Sequence, residues 1–218
     1  MALALFDLDH TLLTGDSDYL WGCFLVEQGI MDKDIYELKN KQFYEDYSQG
    51  ILDMAAYLEF QLSVLARFDR STLETWRRQF VAETITPIIA PGTPDLLQFH
   101  RQRQDTLIII TATNRFVTEP IAKLLGVDIL LATDVETNEH GFTGRPQGIP
   151  CFQHGKVQRL REWMLDHHET WHGSWFYSDS LNDIPLLEQV DNPRVVDPDD
   201  RFRAIAQKRG WPTITLRK

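Results

Sequence analysis

The sequence predicts an α/β fold, a Rossmann-like parallel sheet with helices on both faces and a helical cap inserted after the first strand. Short apolar runs of strand length alternate with helical patterns over most of the chain, as in a parallel sheet with helical crossovers. The interval 16–86 breaks this alternation and has a helical pattern throughout. With 218 residues, the chain is long enough for one sizeable domain and an inserted module.

Six apolar runs predict the strands of the sheet. The first is Leu3–Phe6, which leads directly into an acidic turn that contains a threonine. The others cover residues 107–110, 129–131, 175–177, 194–196 and 213–216. In sheets of this kind, ligands bind beyond the carboxyl ends of the strands. The residues that follow these runs are therefore the first place to look for chemistry.

Helical patterns lie between the strands of the predicted core. They cover residues 94–103, 116–125, 156–165 and 183–190. Thr93 is predicted as the N-cap of the first of these helices, and Gly126 ends the second.

The insertion contains its own helix-start signals. We predict helices that begin at Asp53 and at Ser71, where Glu74 completes a capping box. The predicted domain boundaries are 1–15 and 87–218 for the α/β core and 16–86 for the helical cap.

Charge and composition exclude several classes of protein. The chain has 22 Lys and Arg against 32 Asp and Glu, a formal net charge of -10 at pH 7. This charge argues against binding to nucleic acid or an anionic membrane through bulk electrostatics. Two cysteines give neither a disulfide framework nor a zinc-type spacing, which favours a reducing compartment. Because the sequence shows no signal-peptide pattern and no apolar run of spanning length, we expect a cytoplasmic protein. We expect it to be a monomer or a homodimer.

Four segments next to predicted strands and helices carry reactive side chains. They are residues 6–11, 110–114, 154–157 and 177–183. Asp7 and Asp9 repel each other at a strand end unless a cation or a shared proton compensates. A hydroxyl such as that of Thr111, at the start of a helix, suits a phosphate group. Lys156 can neutralise carboxylates, and Asp179 belongs to a set of hard oxygen ligands of the kind Mg2+ prefers.

Each segment also has an ordinary structural interpretation. The Asp7 segment is compatible with a turn and a helix cap, and Thr111 with a simple N-cap. Most lysines at positions such as that of Lys156 are solvated surface charges.

The order and placement of the four segments resemble the haloacid dehalogenase-like superfamily along the whole core. The helical insertion directly after the first segment is similar to the branch that includes phosphoserine phosphatase. The Gly141-Phe142-Thr143-Gly144 hairpin before the motif lysine is also similar to that branch.

This resemblance implies a catalytic role for each matching residue. Asp7 would attack phosphorus and become an aspartyl phosphate, while Asp9 would protonate the leaving alcohol and then activate water. Thr111 and Lys156 would hold the phosphoryl oxygens. Because Asp9 is present, the resemblance implies hydrolysis with turnover rather than a persistent phosphoenzyme.

The resemblance also implies a Mg2+ site. Asp7, the backbone carbonyl of Asp9, and Asp179 would ligate the metal, and Asn182 and Asp183 would support it. A carboxylate can attack an anionic phosphate only if positive charge offsets the repulsion, which agrees with a bound cation.

Substrate specificity is expected in the cap. In the phosphoserine phosphatase pattern, an acidic residue that contacts the substrate amine matches Asp16. In the same pattern, an arginine of a cap helix contacts the substrate carboxylate. When Gly50 is matched to a glycine of that pattern, the position of this arginine corresponds to Gln61. Gln61 lies on the apolar face of a predicted helix and is either a substrate contact or a side chain that reaches solvent.

These features favour a small phosphate ester of an amino alcohol, such as L-histidinol phosphate. The Asp-Ser-Asp and Thr-Ala-Thr-Asn segments resemble a branch that is often assigned as histidinol-phosphatase. The alternatives are a phosphoserine phosphatase, a phosphotransferase that passes the phosphoryl group to an alcohol, and a non-catalytic regulatory module.

Overall fold

The computed structural model describes residues 2–49 and 51–218 and contains seven strands. They are β1 (Leu3–Phe6), β2 (Thr106–Asn114), β3 (Ile129–Asn138), β4 (Gly141–Gln147), β5 (Trp175–Ser178), β6 (Asn192–Val196) and β7 (Thr213–Ile214). They form one sheet in the order β4-β3-β2-β1-β5-β6-β7. All neighbouring strands are parallel except β3 and β4, which form an antiparallel hairpin at one edge. The predicted α/β fold is confirmed, with β1 at the centre of the sheet. The sheet was predicted to be parallel, and the β3–β4 hairpin is an antiparallel exception.

Nine α-helices accompany the sheet in the described residues. They are α1 (Ser17–Glu27), α2 (Lys33–Gln49), α3 (Met54–Ser63), α4 (Arg70–Phe80), α5 (Thr93–Gln102), α6 (Arg115–Leu124), α7 (His154–His167), α8 (Ile184–Leu187) and α9 (Asp200–Arg209). The first four lie between β1 and β2, where the sequence predicts the insertion. Within the described part of the chain, no helix combines the length and apolar character that a membrane crossing requires.

The apolar side chains of β1 divide between two cores. Leu3 and Leu5 pack with residues of α7 and α9 on one face of the sheet. Ala4 and Phe6 pack on the other face, in the same cluster as Trp21 of the insertion. Because successive strand residues point to opposite faces, a strand that is apolar at every position must be covered on both sides. This is the reason that helices lie on both faces.

The insertion is stabilised by helix caps and by packing on the sheet. Asp53 caps α3 as predicted, accepting hydrogen bonds from the N–H groups of Ala55 and Ala56. The apolar face of α3 packs into the cluster that also contains Phe6. The division into a core (1–15 and 87–218) and a cap (16–86) stays a prediction.

Two predicted helix caps are wrong for local reasons. The helix predicted from Ser71 begins at Arg70, because the Asp69 carboxylate accepts the N–H of Thr72 at 3.0 Å and takes the capping position. Thr93 is the first residue of α5 rather than its cap, because its hydroxyl donates to the backbone carbonyl of Leu12 at 2.8 Å.

The helix predicted over 183–190 is also shorter than expected. A 3-10 turn at Leu181–Asp183 precedes the four-residue helix α8. The chain leaves α8 at Glu188 and enters β6 four residues later.

Candidate active site

The predicted site residues meet at the carboxyl ends of the three central strands. Asp7 follows β1, Thr111 lies in β2 two residues after the last one that pairs with β1, and Asp179 follows β5. Because β2 and β5 both pair with β1 in parallel, their carboxyl ends share one edge of the sheet. Lys156 reaches this edge from the first turns of α7.

A buried lysine links two carboxylates at the centre of this edge. Lys156 Nζ donates to Asp7 Oδ1 at 2.7 Å and to Asp183 Oδ2 at 2.8 Å. All three residues are buried. Burial acts to lower the pKa of Lys156, but the carboxylates of Asp183 and Asp7 outweigh it and raise the pKa. Lys156 therefore stays charged and offsets part of the negative charge around it.

The start of α7 is shaped to bring Lys156 inward. A Cβ on Gly155 would lie 2.0 Å from the carbonyl oxygen of Pro150, so no other residue fits there without a shift. Gln153, just before the helix, has a φ of 49° and donates a hydrogen bond from Nε2 to Asn182 Oδ1 at 2.7 Å. Asn182 therefore contacts the loop that leads to Lys156, and not the lysine itself.

The hydroxyl of Thr11 lies between Asp7 and Asp179. Thr11 Oγ1 is 2.9 Å from Asp179 Oδ1 and 3.4 Å from Asp7 Oδ2, and it accepts the backbone N–H of Asp179 at 3.1 Å. Burial raises the pKa of Asp179 to about 6 and the pKa of Asp7 well above its ordinary value, against the lowering effect of Lys156 on Asp7. The sequence analysis assigned no role to Thr11. Its position in the same segment as Asp7 and Asp9 was the only feature that could have indicated these contacts.

The donor set at this edge fits a small hard cation. Asp7 and Asp183 bring two carboxylates to one lysine, and Thr11 links Asp179 to Asp7, so negative charge remains in excess. In residues 2–49 and 51–218, no three His, Cys, Asp or Glu side chains converge as a ready-made metal cluster. A set of two carboxylates and one backbone carbonyl suits Mg2+, which takes few protein oxygens and keeps several waters.

Asp9 is turned toward the end of β2 by an unusual backbone turn. His10, directly after Asp9, adopts a φ of 54°, a left-handed conformation. Asp9 Oδ1 accepts the N–H of Ser17 at 2.6 Å, and Asp9 Oδ2 accepts the hydroxyl of Thr113 at 2.8 Å. Thr111 Oγ1 lies 3.5 Å from the same oxygen.

Thr113 is a contact of Asp9 that sequence reasoning missed. The pairing of β2 with β3 shifts register between Ile110 and Asn114. Such irregularities change the direction in which side chains point. Here the hydroxyls of Thr111 and Thr113 both lie close to Asp9 Oδ2. The only feature of the sequence that pointed to Thr113 was its position two residues after Thr111, the predicted phosphate-binding threonine.

Two aspartates at the start of α1 lie near Asp9. Asp16 caps the helix, with Oδ1 accepting the N–H groups of Asp18 and Tyr19 at 2.9 Å each. Burial and the neighbouring Asp9 raise the pKa of Asp16 to about 6. Asp18 is buried; its Oδ1 accepts from Asn114 Nδ2 at 3.1 Å and its Oδ2 from the hydroxyl of Tyr57 at 2.6 Å.

Gln61 joins this network indirectly. Its Nε2 donates to the hydroxyl oxygen of Tyr57 at 3.2 Å, and only 7% of Gln61 is exposed. The interpretation of Gln61 as a side chain that reaches solvent is therefore wrong, because Tyr57 one turn earlier in α3 provides it with a buried partner. Gly50, from which its register was counted, lies outside the described residues.

The fold and the site together define an α/β protein with carboxylates and one buried lysine at the carboxyl edge of its sheet. Residues 4–188 match the haloacid dehalogenase-like hydrolase family model. The chain is 39% identical over 219 residues to a histidinol-phosphatase of Neisseria meningitidis, covering 99% of each chain. This protein belongs to the haloacid dehalogenase-like hydrolases.

Further comparisons agree with this assignment. A phosphoserine phosphatase of Mycobacterium tuberculosis is 29% identical over 222 residues, covering 96% of this chain and 69% of that one. A crystal structure of a protein of unknown function from Bordetella pertussis superposes with a TM-score of 0.92 at 41% identity, covering 99% and 98% of the two chains. A substrate-bound phosphoserine phosphatase has the same fold, with a TM-score of 0.70 at 16% identity and coverage of 100% and 93%. The predicted family and the predicted enzyme class, a phosphatase, are confirmed.

Proposed function

We propose that this protein is a Mg2+-dependent phosphomonoester hydrolase that acts on a small metabolite through an aspartyl phosphate on Asp7. The observation that carries this proposal is the buried Lys156, hydrogen-bonded to Asp7 Oδ1 at 2.7 Å at the end of the central strand. Lys156 orients the carboxylate and supplies positive charge where an anionic phosphoryl group must approach it. Asp183 fixes the lysine from the other side at 2.8 Å.

The metal would be held by Asp7, the backbone carbonyl of Asp9, and Asp179. When bound, Mg2+ supplies positive charge that offsets the repulsion between a carboxylate nucleophile and a phosphate dianion. Thr11 keeps the carboxylates of Asp7 and Asp179 together through its hydroxyl. Asp183 and Asn182 support this edge through Lys156 and through the loop before α7, respectively.

Asp9 is the proposed general acid and base. Its carboxylate would protonate the leaving alkoxide and then take a proton from the water that attacks the aspartyl phosphate. The N–H of Ser17 and the hydroxyl of Thr113 hold its two oxygens in place. The hydroxyl of Thr111, close to Asp9, would bind a phosphoryl oxygen together with Lys156.

The proposed substrate is a phosphorylated amino alcohol such as L-histidinol phosphate. The relative that is 39% identical over nearly the whole chain is named a histidinol-phosphatase. Asp16 offers a carboxylate to a substrate amine, and Gln61 stands where an arginine would be needed to bind a substrate carboxylate. The relative at 29% identity named phosphoserine phosphatase supports phosphoserine as the second candidate.

The test measures phosphate release from histidinol phosphate, phosphoserine and phosphoethanolamine, with Mg2+ and with EDTA. We expect turnover only with Mg2+, a preference for histidinol phosphate, and no turnover by Asp7→Asn. Mass spectrometry of acid-quenched enzyme should detect a phosphorylated peptide containing residue 7. Release of phosphate in EDTA would overturn the metal requirement, and a preference for phosphoserine would overturn the substrate. Adding an acceptor alcohol and measuring its phosphorylation separates hydrolysis from phosphotransfer.

A further inference from the structure

Three carboxylates converge at the start of α1 without a cationic partner. Asp16 and Asp18 lie in the first turn of the helix, and Asp9 accepts the N–H of Ser17 between them. In residues 2–49 and 51–218, no Lys, Arg or His forms an ion pair with any of the three. His10 has a minor lowering effect on the pKa of Asp16, and it is exposed.

Asp18 is the most buried member of this group, with 3% of the residue exposed. Burial and then the charge of Asp16 raise its pKa to about 7, although hydrogen bonds from Tyr57 and Asn114 act in the opposite direction. An unpaired buried carboxylate is costly unless another group supplies compensating charge. Both hydrogen-bond donors of Asp18 are neutral, so no ion pair within the described residues compensates its charge, and either a proton or a bound cationic group would do so.

A second observation at the same place points to a ligand. Ser17 is fully buried, and its Oγ has no hydrogen-bond partner in the structure. Ser17 lies among the carboxylates, since Asp16 and Asp18 flank it in the chain and its N–H donates to Asp9 at 2.6 Å. Buried polar groups are nearly always hydrogen-bonded, so this hydroxyl indicates a missing partner.

We propose that Asp18 is a specificity-determining residue that, together with Asp16, binds a cationic nitrogen of the alcohol part of the phosphate ester. The inference rests on the proposed phosphatase function and names the substrate class that this site selects. A substrate ammonium or imidazolium group would be held between the two carboxylates. A substrate carboxylate brought to the same place would be repelled, so the site would select against esters of the phosphoserine type.

Tyr57 and Gln61 are positioning residues for Asp18. The Tyr57 hydroxyl donates to Asp18 Oδ2 at 2.6 Å, and Gln61 donates to that hydroxyl at 3.2 Å. Gln61 therefore acts through Tyr57. Two donors hold the Asp18 side chain in place. One is Tyr57 of α3, in a different part of the insertion, and the other is Asn114 at the end of β2.

The experiment compares Asp18→Asn with wild-type protein on four esters in the presence of Mg2+. Histidinol phosphate and phosphoethanolamine carry a cationic nitrogen, phosphoserine carries a cation and a carboxylate, and p-nitrophenyl phosphate carries neither group. We expect the ratio of kcat/KM for histidinol phosphate to that for p-nitrophenyl phosphate to fall about 10- to 100-fold, because charge-assisted hydrogen bonds are lost. The ratio of kcat/KM for phosphoethanolamine to that for phosphoserine should decrease as well. Asp34→Asn, which removes an exposed carboxylate of α2, is the matched control and should change neither ratio.

The outcomes separate this inference from the proposed function. If wild-type protein hydrolyses none of the esters, the proposed function fails. If it hydrolyses them and Asp18→Asn changes all four by the same factor, the proposed function stands and the role of Asp18 in specificity is overturned.

A second pair of variants tests the positioning residues and leaves Asp18 in place. Tyr57→Phe should raise KM for histidinol phosphate about 3- to 10-fold with kcat nearly constant, because the carboxylate loses its neutral donor. Gln61→Leu should raise KM less, and the double variant should match Tyr57→Phe alone. If Gln61→Leu raises KM by the same factor in the Tyr57→Phe variant as in wild type, Gln61 contacts the substrate itself and the positioning role is wrong.

Discussion

Replacing Asp18 by asparagine should stabilise the protein above neutral pH. The pKa of this buried carboxyl is raised from its ordinary value of 3.8 to about 7 in the folded protein. As the pH rises past about 4, the unfolded chain releases the proton of Asp18 while the folded protein still holds it, so folding becomes less favourable. This penalty grows up to the folded-state pKa, is complete above it, and is absent from a variant with a neutral amide.

The magnitude follows from the difference between the two pKa values. About three pKa units at roughly 1.4 kcal/mol each correspond to about 4 kcal/mol at pH 8, and to about 1.5 kcal/mol at pH 5. The amide forms weaker hydrogen bonds than the carboxylate, which costs about 1 to 2 kcal/mol. The introduced amide can keep both hydrogen-bond partners of Asp18. Its oxygen can accept from Asn114 and its NH2 group can donate to the Tyr57 hydroxyl oxygen, while the Tyr57 hydroxyl donates to the side-chain oxygen of Gln61. The net gain is about 2 to 3 kcal/mol at pH 8 and near zero at pH 5.

The assay is urea denaturation of metal-free wild type, Asp18→Asn and the Asp34→Asn control at both pH values, followed by tryptophan fluorescence. In a thermal scan at pH 8, the same stabilisation would raise Tm by about 4 to 12 °C for a protein of this size. The titratable groups that face Asp18 are Asp9, Asp16, Tyr36 and Tyr57. The reasoning is refuted if Asp18→Asn is no more stable than wild type at pH 8, or if its gain is equal at the two pH values.

Three further substitutions test other parts of the site and core. Lys156→Met, which leaves two buried carboxylates without their cation, should reduce kcat at least about 1000-fold and cost about 3 kcal/mol of stability, measured by phosphate release and urea denaturation. Thr113→Val removes the hydroxyl that donates to Asp9 at 2.8 Å, so kcat should fall about tenfold while KM stays nearly constant; an unchanged kcat would contradict this role. Tyr177→Phe leaves the fully buried His100 Nε2 without its partner at 2.9 Å and should cost about 1 to 3 kcal/mol in denaturation. Its kcat should stay within about twofold of wild type, because this contact lies in the apolar core.

The sequence was informative about the sheet because the strands are buried on both faces. Such strands are nearly continuous apolar runs, and the run Leu3–Phe6 is recognisable without any neighbouring context. The polar residues that follow these runs must meet at one edge when the strands are parallel. The convergence of Asp7, Thr111 and Asp179 could therefore be predicted from their order alone.

Contacts between distant segments could not be predicted in the same way. His100 lies between the carboxylate of Asp105 and the hydroxyl of Tyr177, at 2.9 Å from each, and nothing in the local pattern indicates that pair. The helix starts at Arg70 and Thr93 were misplaced because several nearby polar groups compete for the same N–H groups. Only the three-dimensional arrangement decides which of them becomes the cap.

The insertion between β1 and β2 illustrates where prediction from the sequence ends. Helical spacing places Tyr57 and Gln61 on one face of α3, and this much is readable from the sequence. The partner of that pair is Asp18, which belongs to α1 and is buried without an ion-pair partner in the described residues. A residue whose presence is expected to lower stability is not predicted by any rule about folding, so the expected cost is the argument for function. If Asp18→Asn proves more stable and less selective, both properties will have the same physical origin, a buried negative charge that the substrate neutralises.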